Sequence, residues 1–224
     1  MRAGFLLKKL ILWGVILVFL GVCGVCLYGR LYLKKWELNT EFHFLVSEEK
    51  SVEAGAEFIK LEGGAGYVLR YQDKDYVVLS VYLSQKDAES VQEVLSLQNR
   101  QTKLISISSK TLYFRGKKQW KKAGMYVGAL RTFHACLSVL EESITRLEGG
   151  MTQEKNKGIL KDLKNQLVYM SEVYASTYPT FSLLCSHLVT QLQNECEKVV
   201  YASRMRYILC EAVSEYLNES KQFV

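Results

Sequence analysis

Between Phe42 and Ser108 the chain switches repeatedly between two hydrophobic periods, and the order of the switches admits few folds. Phe42-His43-Phe44-Leu45-Val46 is rich in the aromatic and aliphatic residues that favour strands. After the polar break Ser47-Glu48-Glu49-Lys50, Ser51 is placed to cap a helix whose early acids face the helix dipole. Val52, Ala56, Phe58 and Ile59 form its expected apolar stripe. Gly63-Gly64 ends it, because glycine tolerates the left-handed cap conformation. Gly66 to Tyr71 reads as a second strand, Gln72-Asp73-Lys74 as a turn, and Tyr76 to Leu83 as a third strand. Ser84 caps a second helix, with Ala88, Val91, Val94 and Leu95 expected inward. Thr102 to Ser108 alternates again and reads as a fourth strand. This β-α-β-β-α-β order predicts an α+β unit with its helices on one face of a sheet.

The third strand has the clearest alternation. Val77, Leu79, Val81 and Leu83 are uniformly aliphatic, while Tyr76, Val78, Ser80 and Tyr82 are mixed. Alternate side chains of a strand point to opposite faces. The aliphatic set therefore suits a core under helices, and the set with two tyrosines suits a surface. On the second strand Tyr67 and Tyr71 share a face and Arg70 points opposite. On the first, His43 lies opposite Phe42 and Phe44. The pattern leaves open which of each pair joins Tyr76 and Tyr82.

The stretches GGAGYV and VVLSVYLSQKDAESV, in this order and spacing, resemble the SPOR family over about residues 41–110. Tyr67 matches the family's Gly-then-Tyr entry to the second strand, Tyr82 its aromatic end to the third, and Asp87-Ala88-Glu89 the helix that follows. The resemblance implies a ferredoxin-like sheet that binds peptidoglycan glycan strands, stripped of stem peptides, on the face away from its helices. It also implies a role at division or sporulation septa. Sugar C–H faces pack on aromatic rings and sugar hydroxyls need polar partners. The expected glycan-binding residues are Tyr76, Ser80, Tyr82, Tyr67, Arg70 and His43. The third strand lacks the arginine many members carry there. That keeps open an alternative in which the α+β unit and the following helices form a membrane scaffold for protein partners.

The net charge of +6 is unevenly spread. Residues 1–40 hold six Lys/Arg against one acid, residues 41–110 eight against eleven, residues 111–122 five against none, and the remainder ten against eleven. No folded unit carries the clustered bases of a nucleic-acid interface. Leu10 to Tyr28 is an uncharged run of nineteen residues, about 28 Å as a helix, and predicts a single transmembrane span. Arg2, Lys8 and Lys9 on one side balance Arg30, Lys34 and Lys35 on the other, so charge does not orient the span. The family resemblance alone implies a cell-membrane protein with its C-terminal bulk outside the cytoplasm. Residues 1–40 are thus read as the anchor and its basic flanks.

Residues 111–122, with Tyr113, Phe114 and Trp120 among the bases, read as a linker. From Ala123 to the end the chain predicts an antiparallel helical bundle of three helices. Tyr126, Leu130, Phe133, Leu137, Leu140, Ile144 and Leu147 follow 4-3 spacing, as a coiled-coil seam does. Leu160, Leu163, Leu167, Met170 and Tyr174 form a second seam up to Pro179. Phe181 to about Ser220 reads as a third helix. Such seams serve a bundle within one chain or self-association. Cys136, Cys185, Cys196 and Cys210 fall among apolar residues and read as small buried hydrophobes. His134 and His187 stand alone on their helices and read as ordinary surface or core residues, so no metal or cofactor is expected. No H-E-x-x-H, G-x-S-x-G or phosphate-cradling loop is present, and no enzyme is expected.

Overall fold

The computed structural model describes residues 33–36, 38–47, 52–109, 112–115 and 117–220. The expected membrane span at Leu10–Tyr28 and the cap at Ser51 lie outside them. Among the described residues no helix is long and apolar enough to cross a membrane.

The protein is α+β. Strand β1, Leu33–Trp36, is followed by β2 (Glu41–Ser47), α1 (Val52–Leu61), β3 (Tyr67–Tyr71), β4 (Lys74–Tyr82), α2 (Gln85–Leu97) and β5 (Thr102–Ser108). β2 to β5 build a four-stranded sheet of order β3-β4-β2-β5, with every neighbour antiparallel. The β3–β4 turn has Gln72 at φ 50° and Asp73 at φ 60°, and paired left-handed residues match the twist of a hairpin. Gly63 at φ 90° closes α1, as expected. A Cβ on Gly66 would stand 2.4 Å from the Ala56 carbonyl oxygen, so no other residue fits there. Ser84 Oγ accepts from the Asp87 N–H at 3.4 Å and caps α2.

The stretch expected as a linker, 111–122, instead contributes strand β6 (Leu112–Arg115) and the opening of α3 (Lys117–Glu148). β6 pairs antiparallel with β1, Leu33 opposite Arg115. The physical reason is continuity: β2 and β5 are already paired, and the Ser109 N–H donates to the Thr40 carbonyl at 2.8 Å, so the segments beyond stay side by side.

Three more helices follow: α4 (Gln153–Tyr174), α5 (Pro179–Cys196) and α6 (Ala202–Glu219). The stretch read as one third helix is therefore two. The β-branched pair Val199-Val200 weakens helix at the break. Gln153 then holds the open backbone with both ends of its amide. Its Oε1 accepts from the Val200 N–H at 2.9 Å and its Nε2 donates to the Val200 carbonyl at 3.0 Å.

Both faces of the sheet are covered. On one, Val77 and Leu79 pack with Ile59 of α1 and Leu95 of α2. On the other, Phe42, Phe44, Val46, Val78 and Val81 join Phe133 of α3, Phe181 of α5 and Tyr216 of α6 in one continuous core. The Phe42 ring meets Tyr216 edge-on at 5.5 Å and His134 at 5.6 Å. The seam residues Tyr126, Leu130, Phe133, Leu137 and Leu140 are fully buried. Phe58 and Val94, expected inward, are exposed on the outer sides of α1 and α2. Cys136, Cys185 and Cys210 are buried free thiols, and Cys196 is half-buried. Burial pushes the Cys136 thiol up to about 11, which keeps it unreactive.

Candidate functional site

The expected glycan surface does not form as one face. Leu45 stands opposite Ser80 while Val46 stands opposite Val78, so Leu79 is an extra residue in β4. Such a bulge resets the alternation of the strand. Ser80 and Tyr82 consequently share the α1–α2 side with Val77 and Leu79, whereas Tyr76 packs on the core under α3 and α6. Tyr67 is turned to the same helices, its ring 5.6 Å from Tyr207. His43 is buried, with Nδ1 2.8 Å from Ser106 Oγ. Arg70 stands exposed near the hairpin, 3.9 Å from Asp75. Of the six residues read from sequence, Ser80 and Tyr82 alone meet in one cavity.

That cavity exists because β4 outruns β3, whose pairing ends with Tyr67 opposite Val78. Beside the overhang a groove of about 520 Å³ opens between the start of α2, the C-terminal third of α3 and the start of α6. Its polar lining includes Tyr82, Asp87, Glu141, Glu142, Glu148 and Arg206. Arg206 is engaged twice, in an ion pair with Glu148 and as a donor to the Gly63 carbonyl. Glu142 pairs with Arg146. Among the described residues, Asp87 and Glu141 have no Lys or Arg at ion-pair distance. The groove is therefore acidic, and it disfavours phosphates and other anions.

Glu141 also ties the layers together, its Oε1 accepting from the Leu83 N–H at 3.1 Å. Burial pushes its carboxyl above the usual carboxylate range; the Leu83 N–H opposes this and the charge of Asp87 adds to it. Burial likewise raises the Tyr82 hydroxyl, with a bond to Ser80 opposing. Nothing in the local spacing around Glu141-Glu142 or Arg206 marks them for a site. Both join the site only through contacts distant in sequence, for which local spacing gives no signal.

The raised carboxyl has a consequence for stability. The unfolded chain releases this proton at the ordinary carboxylate value and the folded chain at a higher pH. Across that window the folded chain holds the extra proton, so its stability falls as pH rises from about 4.5 upward and stays lower at neutral pH. Glu141→Gln keeps an acceptor for Leu83 and removes the half-buried charge. In urea titrations at a series of pH values, the variant is expected to gain on the wild type as pH rises above about 4.5. Parallel stability curves would refute this assignment.

No protein-family model, curated protein or solved structure matches the chain.

Proposed function

We propose that the protein is a membrane-tethered interaction protein, not an enzyme, whose acidic groove takes a Lys- or Arg-bearing segment of a protein partner. The observation that carries this reading is the pair Asp87 and Glu141, two neighbouring acids without a Lys or Arg partner among the described residues. A bound cation would relieve their mutual repulsion. The strand order β3-β4-β2-β5 is the ferredoxin-like arrangement of the SPOR resemblance, and it supports common architecture. It supports the family's glycan contact less, because the face away from α1 and α2 is filled by α3 and α6, with Phe42 and Phe44 fully buried. Stripped glycan also carries lactyl carboxylates, which an acidic groove repels. The tether is the apolar run Leu10–Tyr28, and the outward orientation rests on the resemblance alone.

A second reading is kept by one observation: Ser80 and Tyr82, an aromatic and a hydroxyl suited to sugars, do line the groove. Two binding assays on the full chain in detergent separate the readings. A fluorescent Lys-rich peptide is expected to bind in a salt-sensitive manner. Asp87→Asn with Glu141→Gln should weaken it several-fold, since each exposed pair contributes about 0.2–1 kcal/mol. Amidase-treated sacculi are expected not to retain the protein. Retention on sacculi that is lost in Tyr82→Ala would replace the first reading by the second.

A further inference from the structure

The outer seam between α5 and α6 gathers a set of side chains that neither the sequence reading nor the groove uses. Glu211 and Glu215 are one turn apart on α6, so their carboxylates fall on the same side of the helix. His187 faces them from α5. One donor atom from each of the three lies within 4.8 Å of the other two. His187 Nδ1 is 2.6 Å from Glu215 Oε1, and its Nε2 is 3.3 Å from Gln191 Nε2. The same Gln191 amide donates to Glu211 Oε2 at 2.6 Å.

A second observation comes from the other end of that amide. Gln191 Oε1 is buried and has no hydrogen-bond partner among the described residues. A buried carbonyl oxygen is rarely left this way. A half-turn about the last torsion of Gln191 exchanges its oxygen and nitrogen; it brings the oxygen into the cluster and the NH2 into the partnerless position, so it is favoured only with a cation between the acids. The oxygen then stands between His187 and Glu211, and the cluster offers an imidazole nitrogen, two carboxylates and an amide oxygen. Neither carboxylate has a Lys or Arg at ion-pair distance among the described residues. Burial pushes the Glu215 carboxyl above its usual range; His187 opposes this and Glu211 adds to it.

We propose that His187, Glu211 and Glu215 bind a divalent transition-metal ion, zinc by preference, with the Gln191 carbonyl as neighbouring donor, and that the ion clamps α5 to α6. The imidazole selects zinc and its neighbours in the series over calcium or magnesium, which take oxygen ligands. Donors about 2.0–2.2 Å from zinc stand roughly 3.5 Å apart in a tetrahedron. Side-chain rotation brings the donors to that spacing, opening the hydrogen-bonded His187–Glu215 pair to admit the ion, and the His187 and Glu215 side chains are 44% and 34% exposed, free enough to turn. Both line a shallow surface depression of about 440 Å³, which gives the ion its way in.

The test uses the full chain in detergent, stripped with a chelator and titrated at neutral pH with zinc chloride and separately with cobalt chloride. One equivalent of zinc is expected to bind and to raise the melting temperature, as any ligand selective for the folded state does. Cobalt should give a visible d–d spectrum of nitrogen and oxygen ligation without a thiolate charge-transfer band, which excludes the cysteines as the site. His187→Ala at an exposed position and the near-isosteric Glu211→Gln at a half-buried one, each checked for an unchanged far-UV spectrum, should each weaken zinc binding at least tenfold, the scale of losing a metal ligand or its support. A melting temperature unmoved by zinc overturns the proposal. So does a shift that survives in both variants, or a cobalt spectrum dominated by thiolate.

Discussion

Phe44→Ala lowers the stability of the whole protein by about 3–5 kcal/mol, the cost of emptying a buried aromatic site, and does so in a single unfolding transition. Phe44 has no exposed surface. It lies on β2, the strand with partners on both sides, opposite Val81 of β4 and Ile105 of β5. Its face meets α3 and α6, and its core continues without a break into Phe133, Phe181 and Tyr216. The heptad seams alone predict that residues 123–224 fold by themselves. The shared core predicts otherwise, because removing the sheet would expose the side of α3 and α6 that now covers Phe42, Phe44 and Val46. Far-UV circular dichroism follows the helices, and hydrogen exchange of the β2 amides follows the sheet. In urea both should give one midpoint, shifted equally by the substitution. Helical signal that outlasts the β2 amides would show two independent units. Phe44→Leu serves as the control, with a smaller cost because more of the volume is kept.

The elements between Phe42 and Ser108 were legible because their periods are strong and their ends are marked. Ser84, Gly63 and the Gln72-Asp73 turn stand where the structure puts a cap, a helix end and a hairpin. The bulge at Leu79 was not legible. Val77, Val78, Leu79 and Val81 suit either face equally, so no residue marks the point where the parity changes. One extra residue was enough to separate Tyr76 from Tyr82 and dissolve the expected glycan surface. The covering of the second sheet face did leave a trace. Phe42 to Val46 is apolar at four of five positions, on both parities of the strand, and such a run suits a strand buried on both faces better than one with a wet side. The seam Tyr126 to Ile144 announced a buried helix without naming what buries it. Heptad spacing is equally served by a helix or by a sheet. The cluster of His187 with Glu211 and Glu215 follows the same logic: the E-x-x-x-E spacing is visible on α6, but its histidine comes from another helix.

Glu219→Ala is expected to destabilise the protein by about 2–4 kcal/mol, although the residue removed is a buried acid near a helix C-terminus, where the helix dipole disfavours negative charge. The reason is what the carboxylate holds. Glu219 is only 5% exposed, and its Oε1 accepts from the Tyr126 hydroxyl of α3 and the Thr180 hydroxyl of α5, each at 2.7 Å. One side chain of α6 thus joins three helices at the base of the aromatic cluster formed by Tyr126, Phe133, Tyr178 and Phe181. Hydrogen bonds to a charged group are worth about 1.5–3 kcal/mol, and a buried hydroxyl deprived of this acceptor keeps its desolvation cost. Thr180 is exposed and recovers a bond from water, so most of the loss falls on Tyr126, which has no exposed surface. Burial, then the bond to Glu219, holds the Tyr126 hydroxyl far above its ordinary value, so it remains a donor throughout the accessible pH range. Tyr126→Phe alone should therefore cost about 1.5–3 kcal/mol by removing that donor from the carboxylate. The double substitution should cost clearly less than the two single losses added together, because the second change removes a partner already lost. A strictly additive cycle in chemical denaturation would show that the carboxylate and the tyrosine act independently, and that the three helices are joined by apolar packing alone.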